Sequence, residues 1–330
     1  MGDDLHIINV KKRDMVPFEV QNLLAGSVTD FDLWVEVKDT MTLYATAPYK
    51  WDTAEIGRLK DKNHATMYYF TRDRTKVETY QALHRIREID MSLAPPERLL
   101  NLTDAAAELT QVLYSHDLST SLLAKGQEIA NGMVATLLED ITAVSALGLL
   151  ANHDYYTYYH SARVASYALA ISMQLSLRDQ EQLQSIAIGC LMHDIGKSQV
   201  KLEVLNKKDK LDSEEWELMK KHPEFGNDLV QESILDMVPR AIILHHHERL
   251  DGSGYPHNLS ANELLEEVKI ASFADVFDAL TTNRSYQQAR SKFEALDFIK
   301  HKLLKNIHKD SFKAMVAILG LDKDSFESKK

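Results

Sequence analysis

The spacing of apolar residues changes character along the chain. From Phe18 to Pro48, "FEVQNLLAGSVTDFDLWVEVKDTMTLYATAP" is rich in β-branched and aromatic residues, with turn chemistry at Gly26 and Asp39. That pattern predicts short strands joined by tight turns. A short helix is expected from Thr53 to about Lys62, and "ATMYYF" reads as a further strand. From about Thr75 the apolar spacing becomes helical. "SLAPPERLL" interrupts it at Pro95 and Pro96, a chain-breaking pair that suits a boundary. Beyond it, "NLTDAAAELTQVLYSH" and "LSTSLLAKGQEIANGMVATLLEDITAVSALG" carry long helical periodicity. The rest predicts helix after helix separated by short loops. The expected fold class is therefore mainly α, with an all-helical body preceded by a small α+β domain.

Composition narrows this picture. A chain of 330 residues suggests about two domains, and 45% apolar residues suffice for a sizeable core. The formal net charge of -11 argues against binding a nucleic-acid polymer, because neutralising phosphates needs a basic stripe. A small anionic ligand stays open, since a metal or a few local cations can outweigh the global sign. Cys190 is the sole cysteine, so no intrachain disulfide forms, and its apolar surroundings "IAIGCLMHD" suit a buried structural thiol. The charged start "MGDDLHIINVKKRD" lacks the apolar core of a signal peptide. The apolar run "ITAVSALGLLA" is too short to span a bilayer. A cytoplasmic protein without membrane contact is expected, with "DKDSFESKK" as a solvated tail.

The candidate chemistry lies in how the 14 histidines are grouped. "MHDIGK" joins His193 to Asp194, "KHPEFG" offers His222, and "LHHHERLDGSGYP" offers His245, His246 and His247 before a glycine-rich turn. "YYHSARV" places His160 at the start of an amphipathic helix, and "ADVFDAL" puts Asp275 and Asp278 in an apolar setting. A buried aspartate needs a cation or hydrogen bonds. Imidazole and carboxylate together suit iron, manganese, nickel or zinc without choosing among them. Neighbouring helical residues point about 100° apart, so an adjacent pair can address two ions.

The set "HSARV", "HDIGK", "HPEFG", "HHHERLDGSGYP" and "ADVFDALTTNRSY", in this order and with compatible gaps, resembles the HD-GYP subfamily of the HD phosphohydrolases from about Ala130 to Gly320. The resemblance implies that His160, His193, Asp194, His222, His246, His247 and Asp275 ligate metal, with Asp194 bridging two ions. His245 is then an extra residue with a structural part to play. Lys197, one turn beyond His193, would meet the substrate phosphate and share the catalytic work with Asp194. Gly254 and Tyr255 of the signature loop, together with Arg284 and Tyr286, would contact substrate. Ser285 and Gln287 depart from the family's "RPYR" segment, and Gln287 removes a cation. Tyr156 stands where some members carry a glutamate for a third metal, so two ions are expected, iron or manganese.

The resemblance further implies hydrolysis of the bacterial messenger cyclic di-GMP to linear pGpG, and in some members GMP, through a hydroxide activated by two metals. Two other functions compete with it. One is a signalling scaffold of low or no activity that binds cyclic di-GMP or protein partners. The other is an HD hydrolase for another cyclic dinucleotide or nucleotide. The expected domains are residues 1–87 (regulatory or interaction), 88–129 (helical linker), 130–320 (phosphohydrolase) and 321–330 (tail). The first domain has no catalytic motif and would serve signalling-protein partners. The helices from Asn101 to Leu150 would transmit its state or pair two chains as a homodimer. Aromatics in "MYYF" and "YATAPYKW" are expected in the core of the small domain.

Overall fold

A computed structural model describes residues 12–61, 66–115, 118–150, 156–205, 207, 209–231, 233, 235–283 and 288–321. The chain divides into two compact units, Met1–Ile86 and Arg87–Lys330.

The first unit contains β1 (Met15–Glu19), β2 (Val28–Thr29), β3 (Leu33–Val37), β4 (Thr40–Ala45), β5 (Tyr49–Lys50), α1 (Thr53–Asp61), β6 (Thr66–Phe70) and α2 (Arg74–Leu83). Four strands pair in the order β1-β6-β3-β4, and β2 pairs with β5. All these pairings are antiparallel. Strand β1, "MVPFE", escapes the sequence pattern because it is short and holds Pro17. It lies at the sheet edge, where a residue without an N–H is tolerated. The β3–β4 turn places Lys38 at φ 49° and Asp39 at φ 61°, the paired left-handed conformation of a two-residue hairpin. Phe18, Phe31, Leu33, Trp51, Met67, Tyr69 and Tyr80 fill the core; Trp51 and Tyr69 meet the expectation for "YATAPYKW" and "MYYF", whereas Tyr44 is exposed. Trp51 Nε1 donates to Thr29 Oγ1 at 3.2 Å, and the Tyr80 and Ser27 hydroxyls lie 2.7 Å apart.

The second unit contains α3 (Pro95–Ser115), α4 (Thr120–Glu139), α5 (Tyr156–Gln174), α6 (Gln180–Met192), α7 (Leu202–Leu205), α8 (Ser213–Met219), α9 (His222–Leu229), α10 (Met237–His245), α11 (Glu266–Thr281), α12 (Lys292–Phe298) and α13 (Lys309–Ile318). Pro95 and Pro96 do not merely break a helix; they open α3, where a missing N–H is harmless. Helices α3 and α4 span most of the stretch read as a linker. They pack within this unit against α5 and α6, with Leu99, Leu102, Leu122 and Ile129 fully buried. From His160 to Met173 every residue of α5 is buried. A helix apolar all round belongs in the middle of its neighbours, and α3, α6, α11 and α13 all pack against it. Alanines 162, 165, 168 and 170 keep its girth small, while Ser166 and Ser172 bond back to the carbonyls of Ala162 and Ala168. The residues after 321, read as a tail, lie outside the described residues.

Candidate metal centre

Five segments of the second unit converge on one polar pocket inside this apolar body. Helix α5 supplies His160. The end of α6 supplies His193 and Asp194, followed by Lys197 in the 3-10 turn Ile195–Gln199. Helix α9 opens with His222, α10 runs into His246 and His247, and α11 carries Asp275. The turn and α9 approach so closely that a Cβ on Gly196 would strike the backbone of His222 and Gly226. Glycine at 196 is therefore what lets Asp194 and His222 share a pocket.

The seven residues expected as ligands fall into two groups. Asp194, His222, His246 and His247 form one, and His160, His193 and Asp275 the other; within each, one donor atom per residue lies within 4.8 Å of the rest. Asp194 stands between them. Its Oδ1 is 3.3 Å from His222 Nε2 and 3.8 Å from His246 Nε2. Its Oδ2 is 3.4 Å from His193 Nε2, 3.9 Å from His160 Nε2 and 2.5 Å from Lys197 Nζ. Asp275 is also divided, with Oδ1 3.2 Å from His160 Nε2 and Oδ2 3.6 Å from His247 Nδ1.

Hydrogen bonds behind the rings set their tautomers. Nδ1 of His193, His222 and His246 lies 2.7, 2.8 and 2.9 Å from the carbonyls of Cys190, Met219 and Ile243. A carbonyl only accepts, so Nδ1 carries the proton and Nε2 turns a lone pair inward. The consequence is an arrangement that neutral protein alone does not favour. His222 Nε2 and His246 Nε2 face each other at 3.2 Å, and His193 Nε2 and Asp194 Oδ1 are buried without a hydrogen-bond partner. Converging lone pairs and a carboxylate are what a divalent cation satisfies, so these residues fit a metal.

The electrostatics agree with that donor set. Burial pushes the imidazoles of His246 and His247 well below the usual histidine value, and lowers His193 too. Burial pushes Asp194 upward, but Lys197 and His193 outweigh it and hold the carboxyl well below its usual range.

Two side chains that sequence reasoning left without a role complete the pocket. Asp278 is fully buried and its carboxylate receives Arg163 at 2.6 and 3.1 Å and His160 Nδ1 at 2.7 Å. It orients His160 from behind, and Arg163 neutralises it. The "SARV" and "FDAL" stretches put these charges on apolar helices, which was the available signal; their pairing across more than a hundred residues was not visible. Glu248 is also buried, and it clasps the glycine-rich loop by accepting from the backbone of His257 at 2.7 Å and Leu259 at 3.1 Å. Within the loop, a Cβ on Gly254 would meet the backbone of Glu248 and Arg249, so only glycine fits. The Tyr255 ring lies 4.8 Å from that of His247, and half-exposed Trp216 of α8 lies 6.3 Å beyond it. An aromatic ladder thus leads from the pocket to the surface. Lys197 lies against Asp194, and Gly254 and Tyr255 belong to the loop beside His247, while Arg284, Ser285, Tyr286 and Gln287 lie outside the described residues.

Residues 146–308 match the family described as HD domain. The chain is 33% identical over 204 residues to a protein of Pseudomonas aeruginosa named cyclic di-GMP phosphodiesterase, covering 60% of this chain and 48% of that one. It is 33% identical over 171 residues to a Vibrio cholerae protein named 3'3'-cGAMP-specific phosphodiesterase 3, covering 52% of this chain and 37% of that one. The chain therefore spans half or less of the length of these relatives. In fold it is similar to Bd1817, a HDG"Y"P protein from Bdellovibrio bacteriovorus, with a TM-score of 0.59 and 23% identity over 93% of this chain and 100% of that one.

Proposed function

The chain belongs to the HD-GYP-type HD phosphohydrolases, and from that premise we propose that it is a metal-dependent phosphodiesterase that hydrolyses cyclic di-GMP to pGpG. The observation that carries this reading is Asp194, whose two oxygens face two separate groups of imidazole and carboxylate donors. His222, His246 and His247 would hold one ion and His160, His193 and Asp275 the other, with Asp194 shared. Iron or manganese suits this mixture of nitrogen and oxygen. When bound, such a pair lowers the pKa of water and draws charge from phosphoryl oxygens.

The protein's own groups do the rest. Lys197, whose ammonium lies 2.5 Å from Asp194 Oδ2, would hold a phosphoryl oxygen as negative charge develops. It can also deliver a proton to the leaving 3′ oxygen as the P–O bond breaks. The ring faces of Tyr255 and Trp216 offer stacking surfaces for a guanine. Gly254 lets the loop backbone come close, and Arg284 and Tyr286 would complete the grip on the substrate. Asp278 and Glu248 act at one remove, by fixing His160 and the loop.

The decisive experiment measures metal in protein purified without added metal and assays cyclic di-GMP hydrolysis on the same sample. Metal-dependent appearance of pGpG supports the reading. Binding without turnover in the iron- and manganese-loaded protein would replace it with a signalling scaffold. The similarity to a protein named as specific for 3'3'-cGAMP favours a second reading, in which the mixed dinucleotide is the better substrate. Assaying both substrates side by side separates the two. We assign the first unit a regulatory or partner-binding part and place the protein in the cytoplasm; among the described residues no helix is long and apolar enough to cross a membrane. Pairing of two chains through α3 and α4 would be read from the mass in solution.

A further inference from the structure

A second set of donors sits at the base of the glycine-rich loop, apart from the seven residues described above. His245 is the last residue of α10, Glu248 opens the loop, and His257 lies on its returning arm. One donor atom of each lies within 4.8 Å of the other two. The rings of His245 and His257 are 5.3 Å apart and tilted by 58°. His245 Nδ1 is buried and has no hydrogen-bond partner, which is costly for a polar atom. Glu248 spends one acceptor site of each oxygen on the backbone of His257 and Leu259, and each oxygen keeps another lone pair. His257 is exposed, so an ion has a way in and a water has room beside it.

We propose that His245, Glu248 and His257 form a separate divalent-cation site, of the zinc type, that fastens the glycine-rich loop to the end of α10. Two imidazoles and one carboxylate with a fourth position open to water are a familiar zinc donor set. The ion would bridge Glu248 and His257, the two ends of the stretch that carries Gly254 and Tyr255. Its occupancy would set how firmly that stretch is held at the mouth of the pocket. The site would answer to free zinc independently of the ions held around Asp194, and it does not rest on the identity of the substrate.

The test uses the full chain, stripped by a chelator and titrated with zinc against a chromophoric competitor. Wild type should take up about one equivalent more than His257→Ala and His245→Ala, as expected for a single mononuclear site. His257→Cys supplies a thiolate in place of imidazole and should restore the equivalent. With cobalt in place of zinc, it should also give a thiolate-to-metal absorption band. Wild type should lack that band, because Cys190 is buried and its thiol is held well above the usual value. The band separates direct ligation from an indirect loss at the neighbouring His246. If both alanine variants bind as much zinc as wild type, or if cobalt-loaded His257→Cys shows no band, the site does not exist.

Discussion

Asp194 concentrates the demands of the pocket in one carboxylate, because two donor groups and Lys197 all converge on it. Asp194→Ala should strip most bound metal and abolish turnover, and elemental analysis beside the hydrolysis assay reads both. Near-normal metal content in that variant would defeat the assignment of Asp194 as the shared ligand. Asp278 permits a subtler test. Asp278→Asn keeps shape but removes the charge that orients His160 and pairs with buried Arg163, so metal affinity should fall by about 10- to 100-fold and folding stability should fall as well. Changing its partner isolates the stability part. Arg163→Met leaves the fully buried Asp278 without its guanidinium, and a broken buried ion pair costs about 3–5 kcal/mol, read by denaturant unfolding. A loss of stability much below that would mean that water or His160 makes good the missing cation.

Among the elements, the short α8 and the glycine-rich loop place aromatic rings beside the metal pocket. Trp216 is 46% exposed and sits at the outer end of the ladder through Tyr255 to His247. Base stacking on an aromatic ring is worth about 1–3 kcal/mol. Trp216→Ala should therefore raise KM for cyclic di-GMP by about 5- to 150-fold while leaving metal content and the unfolding midpoint near wild type. An unchanged KM would remove Trp216 from the substrate path. This also marks how far the sequence could be read. The residues around the metal pocket stand in short motifs, so local spacing alone suggests that His193, Asp194, His246 and His247 share a site. The roles of Asp278, Arg163 and Trp216 arise from contacts between segments distant in sequence, and that of Glu248 from the way its loop folds back on itself; spacing encodes neither. Strand β1 was hidden by Pro17. Helices α3 and α4 read as a connection because their apolar faces give no hint of the helices they meet.

Over the whole protein, the imidazoles govern the response to acid. Burial lowers His84, His193 and His308, and drives His246 and His247 well down. Burial, then the neighbouring His257, brings His245 to about 4. For His160 burial also pulls downward, but Asp275 and Asp278 outweigh it and the net shift is upward. A lowered group stays neutral in the folded protein yet takes a proton in the unfolded chain once the pH drops below about 6.5. The unfolded chain then binds more protons, so stability falls as the pH falls. His160 has the opposite sign: its contribution is present below about 6.5 and is lost as the pH rises. Asp194, Asp275 and Asp278 are held below the usual carboxylate value, so their contribution is lost only as the pH falls beneath about 3.9. Between these limits the lowered histidines prevail. The unfolding midpoint of metal-stripped protein should therefore drop steadily between pH 7 and pH 5. Added manganese should raise the midpoint by mass action. That increment should shrink as the pH falls, because metal binding must displace the proton that His160 holds, whereas His193, His246 and His247 are lowered and offer little competition. Thermal melts with and without metal across this range check both trends. A flat midpoint for stripped protein would show that the pocket is wet enough for its histidines to titrate as free imidazole. An increment that does not change between pH 7 and pH 5 would show that His160 holds no proton for the metal to displace.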